Sequence, residues 1–128
     1  MHTPTITLYG IPNCDTVKKA RAWLTERAAH FEFHDFKKQG VPAARLPAWI
    51  AAAGWEKLLN RQGTTWRKLA PLEQARAHDA TSAAALMVEH PSVIKRPVVE
   101  WGGGAITVGF DANAWNERLA ALSKPSTP

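Results

Sequence analysis

The 128-residue chain predicts an α/β domain made of a β-α-β unit, a block of helices and a closing β-β-α unit. Three patterns carry this prediction. A run of β-formers ends abruptly at Gly10-Ile11-Pro12, a long helical stretch is punctuated by proline and glycine, and two short strand-like runs flank Gly102-Gly103-Gly104. A chain of this length with 45% hydrophobic residues can bury one core and has no room for two independent ones. A single domain over residues 1–122 is therefore expected, with a helical insertion over about 41–91 and a loose tail at 123–128.

Residues 5–9, Thr-Ile-Thr-Leu-Tyr, read as the first strand. The next segment is helical: Cys14, Val17, Leu24 and Ala28, with Ala20 beside them, share one face, while Lys18, Lys19, Glu26 and Arg27 lie elsewhere. Cys14 falls in its first turn. Residues 31–36, Phe-Glu-Phe-His-Asp-Phe, suit a second strand, and a helix joining two strands over this length gives a parallel βαβ unit. Between residues 41 and 91, Pro42, Pro47, Gly54, Gly63, Pro71 and Pro91 divide the helical pattern into several short helices, the last of them capped by Thr81-Ser82. Val98 to Trp101 and Ala105 to Val108 form a hairpin whose glycines supply positive φ in the turn. The final helix starts at Asp111 and places Ala112, Trp115, Leu119 and Leu122 on one face.

Sixteen Lys and Arg against eleven Asp and Glu give a net charge of +5, but the basic residues are scattered in runs of at most two. That distribution argues against nucleic acid and suits small anionic ligands. No basic leader precedes an apolar core and no 18 apolar residues run together, so a cytoplasmic, soluble protein without a membrane partner is expected. One cysteine cannot form an intramolecular disulfide and is too few for a multi-cysteine zinc site. His30 and His34 read as surface residues, so no metal is expected. Gly102-Gly103-Gly104 joins two strands, whereas a phosphate cradle would lead into a helix. Most of the six tryptophans should be core or seam residues, with Trp66 a candidate pocket wall.

Cys14 is the candidate nucleophile. A thiol reacts as its thiolate, and the first turn of a helix favours an anion through unpaired N–H groups and aligned peptide dipoles. Lys18, one turn on, adds a positive charge, while Asp15 opposes it. A reading of Cys14 as a small buried residue stands beside this one.

Three segments in order, Gly10-Ile11-Pro12-Asn13-Cys14-Asp15-Thr16-Val17-Lys18-Lys19, Leu58-Leu59-Asn60-Arg61-Gln62-Gly63-Thr64-Thr65-Trp66-Arg67 and His90-Pro91-Ser92-Val93-Ile94-Lys95-Arg96-Pro97, resemble the ArsC/Spx (arsenate reductase-like) family, most closely its YffB-type branch. The resemblance implies a thioredoxin-like fold with an all-helical insertion, Cys14 as the catalytic nucleophile, and Pro97 as a cis proline beside the thiol. Arsenate reductases of this family hold their oxyanion with three arginines. Arg61 and Arg96 match two, but Ala105-Ile106-Thr107-Val108-Gly109-Phe110 supplies no third, and no arginine lies between 97 and 117. Spx-like regulators carry a Cys-x-x-Cys switch, whose second position here is Val17.

The expected activity is therefore an oxidoreductase: a glutathione-dependent thiol/disulfide reductase that uses glutathione as co-substrate and acts on a small anionic or thiol substrate. Glutaredoxin is a further candidate partner. Arg61, Arg96 and Lys18 would hold carboxylates or an oxyanion, with Asn13 and Thr16 adding polar contacts near the sulfur. The alternatives are arsenate reduction and a non-catalytic Spx-like adaptor that binds RNA polymerase or another protein.

Overall fold

The computed structural model describes residues 5–123. Strand β1 (Ile6–Gly10) leads into helix α1 (Asp15–Glu26) and strand β2 (Phe31–Asp35). The inserted segment comprises α2 (Phe36–Gln39), α3 (Leu46–Ala53), α4 (Trp55–Leu58), α5 (Thr64–Lys68), α6 (Pro71–Ala75) and α7 (Ala80–Glu89), with short 3-10 turns at Ala43–Arg45 and Pro91–Val93. Strands β3 (Val98–Glu100) and β4 (Ile106–Val108) and helix α8 (Ala112–Ser123) follow. The sheet order is β2-β1-β3-β4. β1 runs parallel to β2, with Leu8 opposite Phe33, and antiparallel to β3, with Leu8 opposite Val99. β4 closes the sheet antiparallel to β3, with Thr107 opposite Val99. This is the thioredoxin-like arrangement, with helices on both faces of the sheet.

Because successive side chains of a strand point to opposite faces, each strand serves two cores. Ile6 and Leu8 of β1 and Val99 of β3 pack with Val17, Ala20, Trp23 and Leu24 of α1 and Trp115 of α8. Tyr9 and Val98 face the other way and pack with Phe36, Leu46, Trp49, Leu58, Met87 and Ile94 of the inserted segment. Cys14 touches both clusters, so the thiol sits where the two layers meet.

Several local details differ from the sequence reading. Phe36 does not continue β2: the Asp35 carboxylate accepts the Lys37 N–H at 2.8 Å and caps α2, and Gly40, at φ 72°, ends it. Helix α7 begins earlier than a Thr81-Ser82 cap would place it. Asp79 is its cap, accepting the Ser82 N–H at 2.8 Å, while Ser82 Oγ accepts the Asp79 N–H at 3.1 Å in a capping box. His34 is half-buried rather than a plain surface residue, because its Nε2 bonds the Gly40 carbonyl at 2.8 Å and its ring packs on Tyr9 and Phe36. Gly102, Gly103 and Gly104 all have positive φ, as the hairpin turn requires. The tail expected beyond Ser123 lies outside the described residues.

One polar knot joins the inserted segment to the sheet. Glu100, at the end of β3, accepts from Tyr9 Oη at 2.9 Å, Arg45 Nε at 2.7 Å and Trp49 Nε1 at 2.8 Å. Burial alone would raise the Glu100 pKa, but the bonds from Trp49, Arg45 and Tyr9 outweigh it and hold the carboxyl below its ordinary value. The Tyr9 hydroxyl is pushed up to about 12, by burial first and by its bond to Glu100 second. A carboxylate whose folded pKa is depressed stabilises the fold above its unfolded pKa, and that stability is lost as pH falls through the folded value. A phenol whose folded pKa is raised stabilises the fold below its unfolded value of 10.0 and loses that contribution as pH rises towards about 12. Glu100→Gln is expected to cost about 1–3 kcal/mol in urea denaturation at neutral pH, as a charged acceptor with three donors is lost. The gap between variant and native protein should narrow at acid pH, where Glu100 is protonated in both states, and a pH-independent gap would show that the charge is not responsible.

Candidate functional site

The site is built at the end of β1. Gly10 packs directly on α1: a Cβ at this position would lie 2.8 Å from Val17 Cγ2, closer than real contacts allow. The chain then turns through Ile11-Pro12-Asn13, and Cys14 takes extended φ and ψ of -100° and 126° as the N-cap of α1. No conventional side-chain cap bond forms there, but the N–H groups of Val17 and Thr16 reach the sulfur and favour its negative form. The thiol is half-buried.

Arg96 comes to the same place from the far end of the insertion. Leu59 bridges Ile94 in antiparallel fashion, with Asn60 N donating to Val93 O and Lys95 N to Leu58 O, each at 2.7 Å. Arg96 folds back so that Nη1 donates to the Ser92 carbonyl at 2.9 Å, and its guanidinium interacts with Cys14. Its Nε is buried and has no hydrogen-bond partner among the described residues. The Arg96–Pro97 peptide bond is cis, as the resemblance implied, and Pro97 is buried.

The electrostatics of Cys14 are a contest. Burial pushes the thiol up, while the Val17 N–H, the Arg96 guanidinium and the Thr16 N–H pull it down; the donors win, and its pKa lies below the ordinary thiol value. The remaining sequence candidates are placed differently. Asn13 and the Thr16 side chain are exposed on the turn and the first turn of α1. Lys18 is exposed and lines a shallow cleft along α1 with Arg21, Thr25 and Phe31. Arg61 is exposed, with Cζ 5.5 Å from the ring centre of Trp55 and 6.0 Å from that of Trp66.

The unpaired amides at the start of α1 act on Cys14 as the sequence led one to expect, but two contributors were missed. The Ser92 carbonyl is a backbone group that no side-chain pattern marks. Trp55 lies six residues from Arg61 across a loop, a spacing with no regular meaning, whereas Trp66 had stood out as a pocket wall. Among the described residues no group of three or more His, Cys, Asp and Glu could hold a metal ion, and no helix is long and apolar enough to cross a membrane.

A lone activated thiol at the start of the first helix of a thioredoxin-like sheet, with an arginine beside it, defines a class of single-cysteine thiol proteins. The chain belongs to the ArsC family, whose sequence model matches residues 9–118. The solved YffB (PA3664) protein is 46% identical, with a TM-score of 0.84 over 89% of this chain and 98% of that one. An uncharacterized protein of Haemophilus influenzae is 38% identical over 116 residues, covering 90% of this chain and 99% of its own length. The global transcriptional regulator Spx of Streptococcus agalactiae is 28% identical over 97 residues, or 73% of this chain and 69% of the regulator.

If Arg96 helps to hold the thiolate, Arg96→Gln should raise the Cys14 pKa towards that of an ordinary thiol, though not fully, because the Val17 and Thr16 amides remain. Lys18→Ala should move it less. The pH dependence of Cys14 alkylation by iodoacetamide measures both, and an unchanged profile in Arg96→Gln would assign the activation to the helix start alone.

Proposed function

We propose that this protein is a glutathione-dependent thiol/disulfide reductase acting in a reducing cytosol, with Cys14 as nucleophile and Arg96 as its electrostatic partner. One observation carries the reading: the Cys14 thiol is held below its usual pKa by the first amides of α1 and by the Arg96 guanidinium, whose buried Nε has no hydrogen-bond partner among the described residues. The catalytic unit spans residues 1–122 as one domain, with 41–91 inserted.

The Cys14 thiolate attacks the glutathione sulfur of a glutathionylated thiol. A Cys14–glutathione disulfide forms, the substrate's disulfide breaks, and its released thiolate takes up a proton. The thiolate of a second glutathione then attacks that mixed disulfide, leaving oxidised glutathione and restoring the Cys14 thiolate. In the net exchange the substrate sulfur goes from disulfide to thiol and the second glutathione's sulfur from thiol to disulfide, with glutaredoxin an alternative acceptor of the adduct. Arg61 and Arg96 serve the glutathione carboxylates, while Lys18, Asn13 and the Thr16 side chain complete the binding surface, with the buried cis Pro97 supporting it from beneath. Arsenate reduction is disfavoured because Phe110, in the segment where the third arginine falls in arsenate reductases, packs 4.7 Å from Trp115 and 6.2 Å from Trp23. Each charged hydrogen bond lost to a buried anion costs about 1.5–3 kcal/mol.

A second reading, a non-catalytic adaptor, draws on an apolar cavity of about 540 Å³ between α3 and α7, lined by Leu46, Ile50, Ala84 and the exposed Val88 among others. Intact-protein mass after brief exposure to oxidised glutathione across pH 5 to 9, with Cys14→Ser as control, decides between them. Rapid Cys14-dependent gain of one glutathione well below the ordinary thiol pKa of about 8.5 is expected. Adduct formation only near that pKa, together with co-purification with RNA polymerase, would favour the adaptor.

A further inference from the structure

The sequence singled out Arg61 as a ligand for an anion, yet the residue is exposed and has no ion-pair partner among the described residues. A free arginine on a surface loop samples many rotamers, and fixing it on a ligand costs entropy that weakens recognition. Here the guanidinium is held over two indole rings, those of Trp55 and Trp66. Both tryptophans are themselves held. They pack against the core cluster that Cys14 also touches. The Trp66 carbonyl accepts from Gln74 Nε2 at 2.8 Å and from Leu69 N at 3.1 Å. The loop between the two rings is tight: Gln62 N donates to Asn60 Oδ1 at 3.2 Å, and a Cβ on Gly63 would sit 2.7 Å from Asn60 Nδ2. Aromatic faces engage the guanidinium without using its N–H donors, so the fork that matches a carboxylate stays uncommitted.

We propose that Trp55 and Trp66 are positioning residues that hold Arg61 as a preorganised carboxylate receptor and so make the site selective for anionic disulfides, such as that of glutathione, over neutral ones. The inference rests on the glutathione-linked reading of Cys14 and adds the source of its substrate preference. Neither ring is among the groups that lower the Cys14 pKa, so truncating one acts first on Arg61.

The test compares rates of Cys14 adduct formation with glutathione disulfide and with the uncharged hydroxyethyl disulfide, in the native chain and in Trp66→Leu, Trp66→Phe, Trp55→Leu, Arg61→Ala and Arg61→Ala/Trp66→Leu. Expected is a loss of about tenfold with glutathione disulfide in Trp66→Leu and in Arg61→Ala, the order of one charged hydrogen bond. The double variant should lose no more, the ratio of the glutathione-disulfide rate to the hydroxyethyl-disulfide rate should fall about tenfold in each, and Trp66→Phe should keep most of the preference. Equal slowing with both disulfides, or additive losses in the double variant, would overturn the inference. Should Trp66→Leu fail to fold, as its thermal melt would show, Trp55→Leu carries the same comparison. Binding of the unreactive S-methylglutathione, followed by calorimetry, separates this inference from the reading beneath it. Binding that depends on Arg61 and Trp66 without rapid adduct formation would leave the preorganised receptor standing and the reductase reading refuted. Rapid adduct formation indifferent to both residues would do the reverse.

Discussion

The site depends on a close approach that only glycine permits. With no Cβ at residue 10, α1 settles against the end of β1, and Val17, fully buried, occupies the space a side chain there would take. That contact fixes the start of α1 relative to the sheet and so aims the Val17 and Thr16 amides at the Cys14 sulfur. Any displacement of the helix would leave burial, which raises the thiol pKa, opposed by Arg96 without the helix amides. The reactivity of Cys14 is thus a property of the packing beneath it more than of the residue.

The inserted helices supply the other half of the site. They bring the segment 58–60 beside 93–95, and that short antiparallel pairing sets the register at which Arg61 and Arg96 leave the backbone. Glu100 then fastens the insertion to the sheet through Arg45 and Trp49 on one side and Tyr9 on the other. A carboxylate with three donors, two of them from the insertion, has only a narrow range of geometries in which all three bonds close, so the knot works as a stop as well as a source of stability. Cys14 belongs to both hydrophobic clusters, and the guanidinium from one layer and the helix start from the other meet on its sulfur.

Much of this was legible in the sequence because it is periodic. Alternation in Thr5 to Tyr9 and helical spacing from Cys14 to Ala28 mark the βαβ unit, and the glycine run marks the hairpin. The ordered segments around Cys14, Arg61 and Arg96 pointed to the family. What stayed hidden was set by contacts between distant residues or by local competition. Asp35 and Asp79 captured caps that Phe36 and Thr81-Ser82 had suggested otherwise, since a carboxylate at the right step takes the free amides first. The Glu100 knot spans 91 residues from Tyr9, and nothing in a strand-end glutamate announces a tyrosine, an arginine and a tryptophan as partners. Trp66 had stood out as a pocket wall, but its place with Trp55 against Arg61 had not, for cation–π geometry follows the loop path and not a repeat.

The disposition of the cations bears on which ligand the site suits. A compact tetrahedral oxyanion is best held by several donors converging in a closed space, because each is then strengthened by exclusion of water. In this chain one Arg96 donor is spent on the Ser92 carbonyl, Arg61 is exposed, and Phe110 is committed to the aromatic cluster of Trp23 and Trp115. Convergence is therefore incomplete. A longer ligand with its own sulfur and well-separated carboxylates asks for less convergence, because its charges can be met at points far apart.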